Sequence, residues 1–308
     1  MYQFIVNPSA GAGRGFRIWK KLESQLKKEN REYQVFFTEC KGDAAETAKK
    51  LTSDKEESKI LVVVGGEGTY NEVLNGIAFR GLLTMGYVPV GFRNALFSGF
   101  QSNRKVNAHI KKIFHPKHYD LLHYGVLTCG DDELLNRRFA GRCGIGLDAA
   151  ICHNMLCCHM TKPMNRIHMS KAVKFILGLK QLILAKPVKG YIVFDGSKKV
   201  EFNHLYFLTF HVCGNNRRKN KQDNRDIDCG KMRVYLANSS KKFHMIPVLL
   251  DVIMGVRKKE RGIRIYECNE AKIHLSRPLA VHTDGESCMC QQELELRCIP
   301  KRIRMIGS

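Results

Sequence analysis

Two separate segments of this chain carry residues whose types and spacing suit the handling of phosphate, and a third carries two acids around a glycine. The first, Asn7-Pro8-Ser9-Ala10-Gly11-Ala12-Gly13-Arg14-Gly15, follows a short apolar run and precedes an amphipathic one. Glycines between a strand and a helix let backbone N–H groups approach a phosphate at the helix's positive end, although the same spacing alone also describes a plain tight turn. The second, Gly65-Gly66-Glu67-Gly68-Thr69-Tyr70-Asn71-Glu72-Val73, follows the most apolar run, Ile60 to Val64, and again precedes a helix. Three glycines clear side chains from that turn, and Thr69 is placed to cap the helix. The third, Asp284-Gly285-Glu286, lies between two β runs, where a hairpin with its acids projecting from the tip is expected.

Apolar periodicity shows which elements must carry these segments. Short apolar, β-branched runs at Tyr2–Val6, Tyr33–Phe37, Ile60–Val64 and Tyr87–Val90 alternate with amphipathic stretches near 16–29, 43–51 and 70–79. Such alternation marks a parallel sheet with helices on both faces, giving a doubly wound α/β domain over residues 1–119. After Asp120 the rhythm changes. Two helical stretches, 171–185 and 244–256, stand among strand-like runs at 190–194, 200–210, 232–237, 262–268, 271–276 and 293–299, with Asp195-Gly196 in a hairpin position. A mainly antiparallel β-sandwich domain is expected over residues 120–299, with the tail of residues 300–308 packing back on the first domain. A cleft between two such domains is the default place for a ligand.

Composition narrows the partners. A chain of 308 residues with 44% hydrophobic residues can bury a large core, which excludes a disordered protein. Its formal net charge of +22 attracts phosphate as nucleotide, anionic lipid headgroup or nucleic acid. Nucleic acid has only that charge in its favour, with no aromatic-rich single-strand motif or helix-turn-helix, so no nucleic-acid partner is expected. Basic clusters at Arg217, Arg218, Lys219, Lys221 and Arg225, at Arg257, Lys258, Lys259 and Arg261, and at Lys301, Arg302 and Arg304 suit solvated loops or an anionic membrane surface equally.

The 12 cysteines fall largely within apolar runs of a chain that enters a strand at Tyr2 without a basic-then-apolar leader. Reduced, buried thiols in a cytoplasmic protein are expected. The group Cys152, His153, Cys157, Cys158 and His159 lacks paired C-x-x-C spacing and falls in a helical stretch, so zinc is not expected there. The longest apolar stretches, 172–185 and 245–256, are interrupted by Lys174, Lys180 and Asp251 and are too short to span a bilayer. Peripheral association with a membrane is the expectation, and a homodimer is left open.

Taken in order, Asn-Pro-x-x-Gly, then Gly-Gly-acid-Gly-Thr-x-Asn-Glu-Val, then Asp-Gly-Glu resemble one superfamily. It is the catalytic domain shared by bacterial diacylglycerol kinases and by ceramide and sphingosine kinases, with a first domain similar to that of NAD kinases. Thr38 before Gly42-Asp43-Ala44-Ala45, Val88-Pro89-Val90-Gly91, and Gly144-Ile145-Gly146-Leu147-Asp148-Ala149 extend the resemblance over nearly the whole chain. The resemblance implies transfer of phosphate from ATP, with Mg2+, to the hydroxyl of diacylglycerol or a related lipid, giving a phospholipid such as phosphatidic acid. It implies that ATP phosphates lie against Asn7, Pro8, Ser9, Ala10 and Gly11 and against Gly65, Gly66, Glu67, Gly68, Thr69, Asn71 and Glu72. Thr38 would stand near the nucleoside, with Gly91, Arg93 and Asn94 as a third loop. Glu286 would be the general base, Glu67 and Asp120 carboxylates of a magnesium network, and Asp226, Asp228 and the backbone of Lys231 the holders of a structural magnesium.

The chain departs from the family pattern at three places. Glu67 stands where the family carries Asp, which extends the carboxylate by about 1.5 Å. The third loop reads Gly91-Phe92-Arg93-Asn94-Ala95 in place of Gly-Thr-Gly-Asn-Asp, which removes a carboxylate and offers Arg93 as a direct phosphate contact. Cys229 replaces an aspartate of the structural-magnesium segment, and thiol is a poor ligand for so hard an ion. These departures motivate two alternatives: a degenerate kinase that binds nucleotide or lipid without turnover, and a soluble-substrate kinase of the NAD-kinase type. The early Asn7-Pro8 and the late Asp284-Gly285-Glu286 favour the lipid branch over the latter.

Overall fold

The computed structural model describes residues 1–53, 59–79, 83–90, 106–130, 135–157, 170–213, 230–247 and 263–306. Its first half is built on four parallel strands, β1 (Tyr2–Val6), β2 (Tyr33–Phe37), β3 (Lys59–Gly65) and β4 (Leu83–Pro89), in the order β2-β1-β3-β4. The run Leu61–Val64 is completely buried because helices cover both faces of the sheet. Helix α1 (Ala10–Lys28) and α4 (Val106–Phe114) lie on one face, where Ile18, Trp19, Leu22 and Leu26 meet Phe4, Val6, Val62, Val64, Val88, Ile110 and Phe114. Trp19 packs against the rings of Phe4, Tyr33 and Phe37 at 5.2, 5.8 and 6.1 Å. On the opposite face, α2 (Asp43–Thr52) and α3 (Glu67–Gly76) pack on Ile5, Leu61, Val63, Met85 and Tyr87. These two helices cross closely: a Cβ at Gly76 would stand 2.1 Å from the Ala45 carbonyl oxygen.

The second half begins with β5 (Tyr119–Cys129), β6 (Leu135–Phe139) and β7 (Arg142–Gly146), antiparallel strands over residues where periodicity alone marked none. Helices α5 (Leu147–Cys157) and α6 (Ser170–Leu184) follow, then β8 (Val188–Phe194), β9 (Lys198–Val212), β10 (Met232–Asn238), β11 (Ile263–Cys268), β12 (Glu270–Thr283) and β13 (Glu286–Ile306). Of the helical stretch expected at 244–256, only the residues up to 247 fall among those described, starting in a short 3-10 turn, Lys242–His244. The long strands change partners along their length. The first part of β9 pairs with β8 and the last with β7 and β10, while β12 pairs with β8, β7 and β13. One apolar core results, containing Phe139, Phe194, Phe202, Phe210, Leu275 and Leu296 among others.

Sequence reading ends two of these strands too early, and proline is the reason. Strand β12 continues past Ser276 through Pro278, and β13 past Ile299 through Pro300; each proline sits inside a break in register, between His274 and Leu279 and between Ile299 and Ile303. Proline donates no ladder hydrogen bond, so a strand accommodates it at a bulge. Beyond that bulge β13 joins the two halves. Arg304 and Met305 lie parallel to Thr84 and Met85 of β4, so the tail does return to the first half, and the hydrogen-bonded sheet is continuous from one half to the other.

Candidate active site

The two glycine turns open at the C-terminal ends of β1 and β3 and are tied into one floor. The Asn7 N–H donates to the Val64 carbonyl and the Val90 N–H to that of Gly65, both at 2.9 Å. The Asn7 side-chain amide donates to the Thr69 hydroxyl at 3.1 Å. At Gly11, Ala12 and Gly13 the backbone passes through φ of 60°, 59° and 81°, so regular helical geometry in α1 begins only beyond them. A Cβ at Gly11 would stand 2.5 Å from the Val90 carbonyl oxygen, which closes that position to any larger residue. Thr69 does not cap α3 as expected: Gly66 is the N-cap, and the hydroxyl is used to hold Asn7. Thr38 is buried at the end of β2, its N–H donating to Val6 at 2.9 Å.

Glu286 opens β13 and reaches this floor from the other half of the chain. Its Oε1 lies 3.3 Å from where a Cβ on Gly68 would be, and its Oε2 accepts a hydrogen bond from Lys41 Nζ at 2.7 Å. Sequence reasoning missed Lys41. Its one signal was the following Gly42, whose φ of 102° turns the chain between β2 and α2 and brings the lysine over the site.

The Asp284 carboxylate does not project from its hairpin tip, which corrects that expectation. It is turned inward, accepting from the N–H groups of Ala140, Gly141 and Arg142 at 2.8 to 2.9 Å and from the Asn71 amide at 3.2 Å. Burial pushes its carboxyl above the ordinary value, against these N–H donors, which pull it down. The hairpin is thereby fastened to the loop between β6 and β7 and to α3. Arg138 fastens the other end of α3, its guanidinium donating to the terminal carbonyls of Leu74 and Ile77 at 3.0 and 2.6 Å. Below the hairpin, Asp148 meets Arg142 at 3.5 Å and His282 at 3.3 Å. Burial raises the Asp148 carboxyl, but the Arg142 charge and the His282 hydrogen bond outweigh it and hold the group well below the usual carboxylate range.

Other residues singled out from the sequence are placed differently. The Asn71 side chain faces Asp284 and the Arg138 carbonyl, and the Glu72 carboxylate accepts the Gly42 N–H at 3.1 Å, so both act between protein elements. Asp120 pairs with His118 at 3.8 Å. It stands opposite Met305, which is level with Met85, four residues before Pro89, whereas Gly65 is level with Pro89 itself. At about 3.3 Å per residue, that puts Asp120 roughly 13 Å down the sheet from the glycine turns, so the structure does not bring it to Glu286. Gly91, Arg93, Asn94, Asp226 and Asp228 lie outside the described residues, while the Lys231 carbonyl accepts the Cys213 N–H at 3.1 Å. Of the cysteine–histidine group, Cys152 donates to the Gly285 carbonyl at 3.4 Å and His153 Nε2 meets the Val281 carbonyl at 3.0 Å.

A family described as "Diacylglycerol kinase catalytic domain" matches residues 1–124. A Bacillus subtilis protein named as a lipid kinase, YtlR, is 32% identical over 302 residues, covering 92% of each chain. The chain belongs to the diacylglycerol kinase catalytic-domain family. A diacylglycerol kinase of Bacillus subtilis is 23% identical over 290 residues, covering 92% of this chain and 89% of its own. Among solved structures, a diacylglycerol kinase from Bacillus anthracis superposes with a TM-score of 0.72 at 18% identity, covering 100% of this chain and 97% of that one. Yeast NADH kinase complexed with NADH shares the fold less closely, with a TM-score of 0.53 at 10% identity.

Proposed function

We propose that this chain transfers the γ-phosphoryl group of ATP to a lipid hydroxyl, that of diacylglycerol or a closely related lipid, giving a phospholipid such as phosphatidic acid. The observation that carries the reading is the placement of Glu286, within 3.3 Å of the Cβ position at Gly68, on the glycine floor. Glu286 takes the proton from the lipid hydroxyl; the oxygen forms its bond to the γ-phosphorus as the bond to the β–γ bridging oxygen breaks and ADP leaves. The backbone of Asn7–Gly11 and of Gly65–Thr69 positions the triphosphate, with Thr38 beside the nucleoside. Lys41, which holds Glu286 Oε2 at 2.7 Å, is the cation that arriving phosphates draw away, leaving that oxygen able to accept a proton.

The donor set fits a magnesium carried by the nucleotide. Among the described residues no group of three or more His, Cys, Asp or Glu could hold a metal, and Mg2+ commonly binds through one or two carboxylates plus substrate phosphates. Glu67, at the start of α3, is the residue that would contribute. The ion, when bound, supplies charge neutralisation at the β- and γ-phosphates.

Docking to an anionic membrane fits the net charge of +22 and an apolar patch near the end of α6. Ile183, Leu184 and Phe243 are exposed there, with Lys242 donating to the Ile183 carbonyl at 2.9 Å. No described helix is long and apolar enough to cross a membrane. The test is purified protein with mixed micelles, a panel of hydroxylated lipids including diacylglycerol, labelled ATP and Mg2+. Magnesium-dependent labelled lipid is expected, and its absence across the whole panel would overturn the reading. The changed third loop and Cys229 favour the degenerate-kinase alternative, which calorimetric nucleotide binding without any turnover would support.

A further inference from the structure

Beneath the Asp284–Gly285 turn lies a chain of polar groups that the transfer reaction itself does not use. His282 is completely buried, and its two ring nitrogens face different partners. Nδ1 lies 3.2 Å from the Gly285 nitrogen, and Nε2 lies 3.3 Å from Asp148 Oδ2. A backbone N–H can only donate, so Nδ1 must be the bare nitrogen; the network therefore assigns the ring proton to Nε2, where it donates to Asp148.

Asp148 is itself fixed, by Arg142 at 3.5 Å and by the Thr209 hydroxyl donating at 3.5 Å. Gly144 leaves room for the pair, since a Cβ there would stand 2.5 Å from His282 Nε2 and 2.6 Å from Asp148 Oδ2. On its other side Gly285 is held by the Cys152 thiol, which donates to the carbonyl at 3.4 Å. Both polar backbone groups of the residue immediately before Glu286 are thus gripped by side chains from the second half of the chain.

We propose that His282 is a positioning residue: held in its Nε2–H tautomer by Asp148, it fixes the Gly285 amide and so aims the Glu286 carboxylate at the glycine floor. The inference rests on the reading of Glu286 as the base. Asp148 sets the tautomer, Gly144 provides the space, and Cys152 holds the peptide from the other side. A comparable arrangement governs metal-bound histidines, where a carboxylate behind the ring decides which nitrogen is free to work.

Two substitutions separate this role from simple packing. In His282→Asn the amide oxygen stands near the place of Nδ1 and can accept from Gly285, whereas in His282→Gln the amide nitrogen stands near the place of Nε2 and serves only Asp148. Glutamine fills the buried space better. We expect His282→Gln to lower kcat about a hundredfold, the loss typical of a misplaced reacting group, with the KM for ATP within about twofold. His282→Asn should stay within about fivefold of the parent in kcat despite leaving the larger void.

Amide hydrogen exchange gives a readout independent of turnover: Gly285 should lose protection in His282→Gln and keep it in His282→Asn. Equal loss of kcat in both variants, losses that follow the drop in melting temperature, or unchanged Gly285 exchange in both would overturn the proposal. If the parent protein itself phosphorylates no lipid, the kinase reading fails, while the order of Gly285 exchange still decides whether His282 holds the turn.

Discussion

The chain contains two Asp-Gly hairpin turns with nearly the same backbone. At Asp195 and Gly196 φ is 48° and 70°, and at Asp284 and Gly285 it is 51° and 96°. In both, the aspartate accepts hydrogen bonds from backbone N–H groups. Asp195 serves Asn269 and Glu270, in the strand segment next to its own hairpin, and Gly196 has open space where a Cβ would be. Asp284 serves the Ala140–Arg142 segment and Asn71, and the residue after its glycine touches the glycine floor. The dipeptide therefore sets the shape of a turn, while the partners of its aspartate decide whether the turn is a bend in a sheet or the mount that carries Glu286 to the glycine floor.

Five substitutions break or sharpen this comparison. The largest effect is expected from Glu286→Gln, which keeps the shape of the second turn and removes its base. Labelled-ATP assays should show kcat lower by about 10²- to 10⁴-fold with nucleotide affinity retained, since that is the range a general base contributes.

Next, Asp148→Asn removes the nearest carboxylate from Arg142, whose side chain is partly exposed, and should cost about 2–3 kcal/mol in urea unfolding at neutral pH, less than a fully buried pair. The Asp148 carboxyl titrates below its unfolded value near 3.9, so its contribution is full above that value and fades as pH falls toward the folded one. The gap between parent and variant should accordingly narrow below about pH 4.

Asp284→Ala strands several inward-facing N–H donors and should cost about 2–3 kcal/mol, measured the same way, together with a loss of turnover. Lys41→Met should raise the KM for ATP about tenfold, as expected when one charge-assisted contact worth some 1.4 kcal/mol is removed. Smallest is Asp195→Ala, at about 1 kcal/mol or less with turnover unchanged, because water replaces the aspartate at an exposed turn. Equal costs for the two aspartates would mean that their different partners do not matter.

Much of this was legible from residues alone. The first three strands and first three helices show in apolar periodicity because each is short and local, while of the fourth strand, Leu83–Pro89, only the end from Tyr87 is marked. The two glycine turns show as motifs because a tight passage from strand to helix demands glycine, whereas Glu286 stands out only through the family resemblance. What stayed hidden depends on residues far apart in the chain. Only the turn glycine that follows it marks Lys41, which finds Glu286 across 245 positions, and nothing local marks His282, which finds Asp148 across 134. The inward Asp284 was hidden for the same reason, since its partners come from the loop between β6 and β7, from the first residue of β7 and from α3. Strands β6 and β7 escaped because Arg137, Arg138 and Arg142 interrupt their apolar alternation, β5 because Asp120, His123 and Gly125 break its apolar run, and β12 and β13 were cut short at prolines that the structure absorbs in bulges.

The return of β13 to β4 also bears on how the protein is made. Thr84 and Met85 leave the ribosome long before Arg304 and Met305, the residues that lie beside them. Until those late residues emerge, the rim of the early sheet exposes unpaired peptide groups, a surface on which nascent chains tend to associate. Completion of the first half is therefore a late event of synthesis, and chains released before residue 304 would be expected to depend on chaperones.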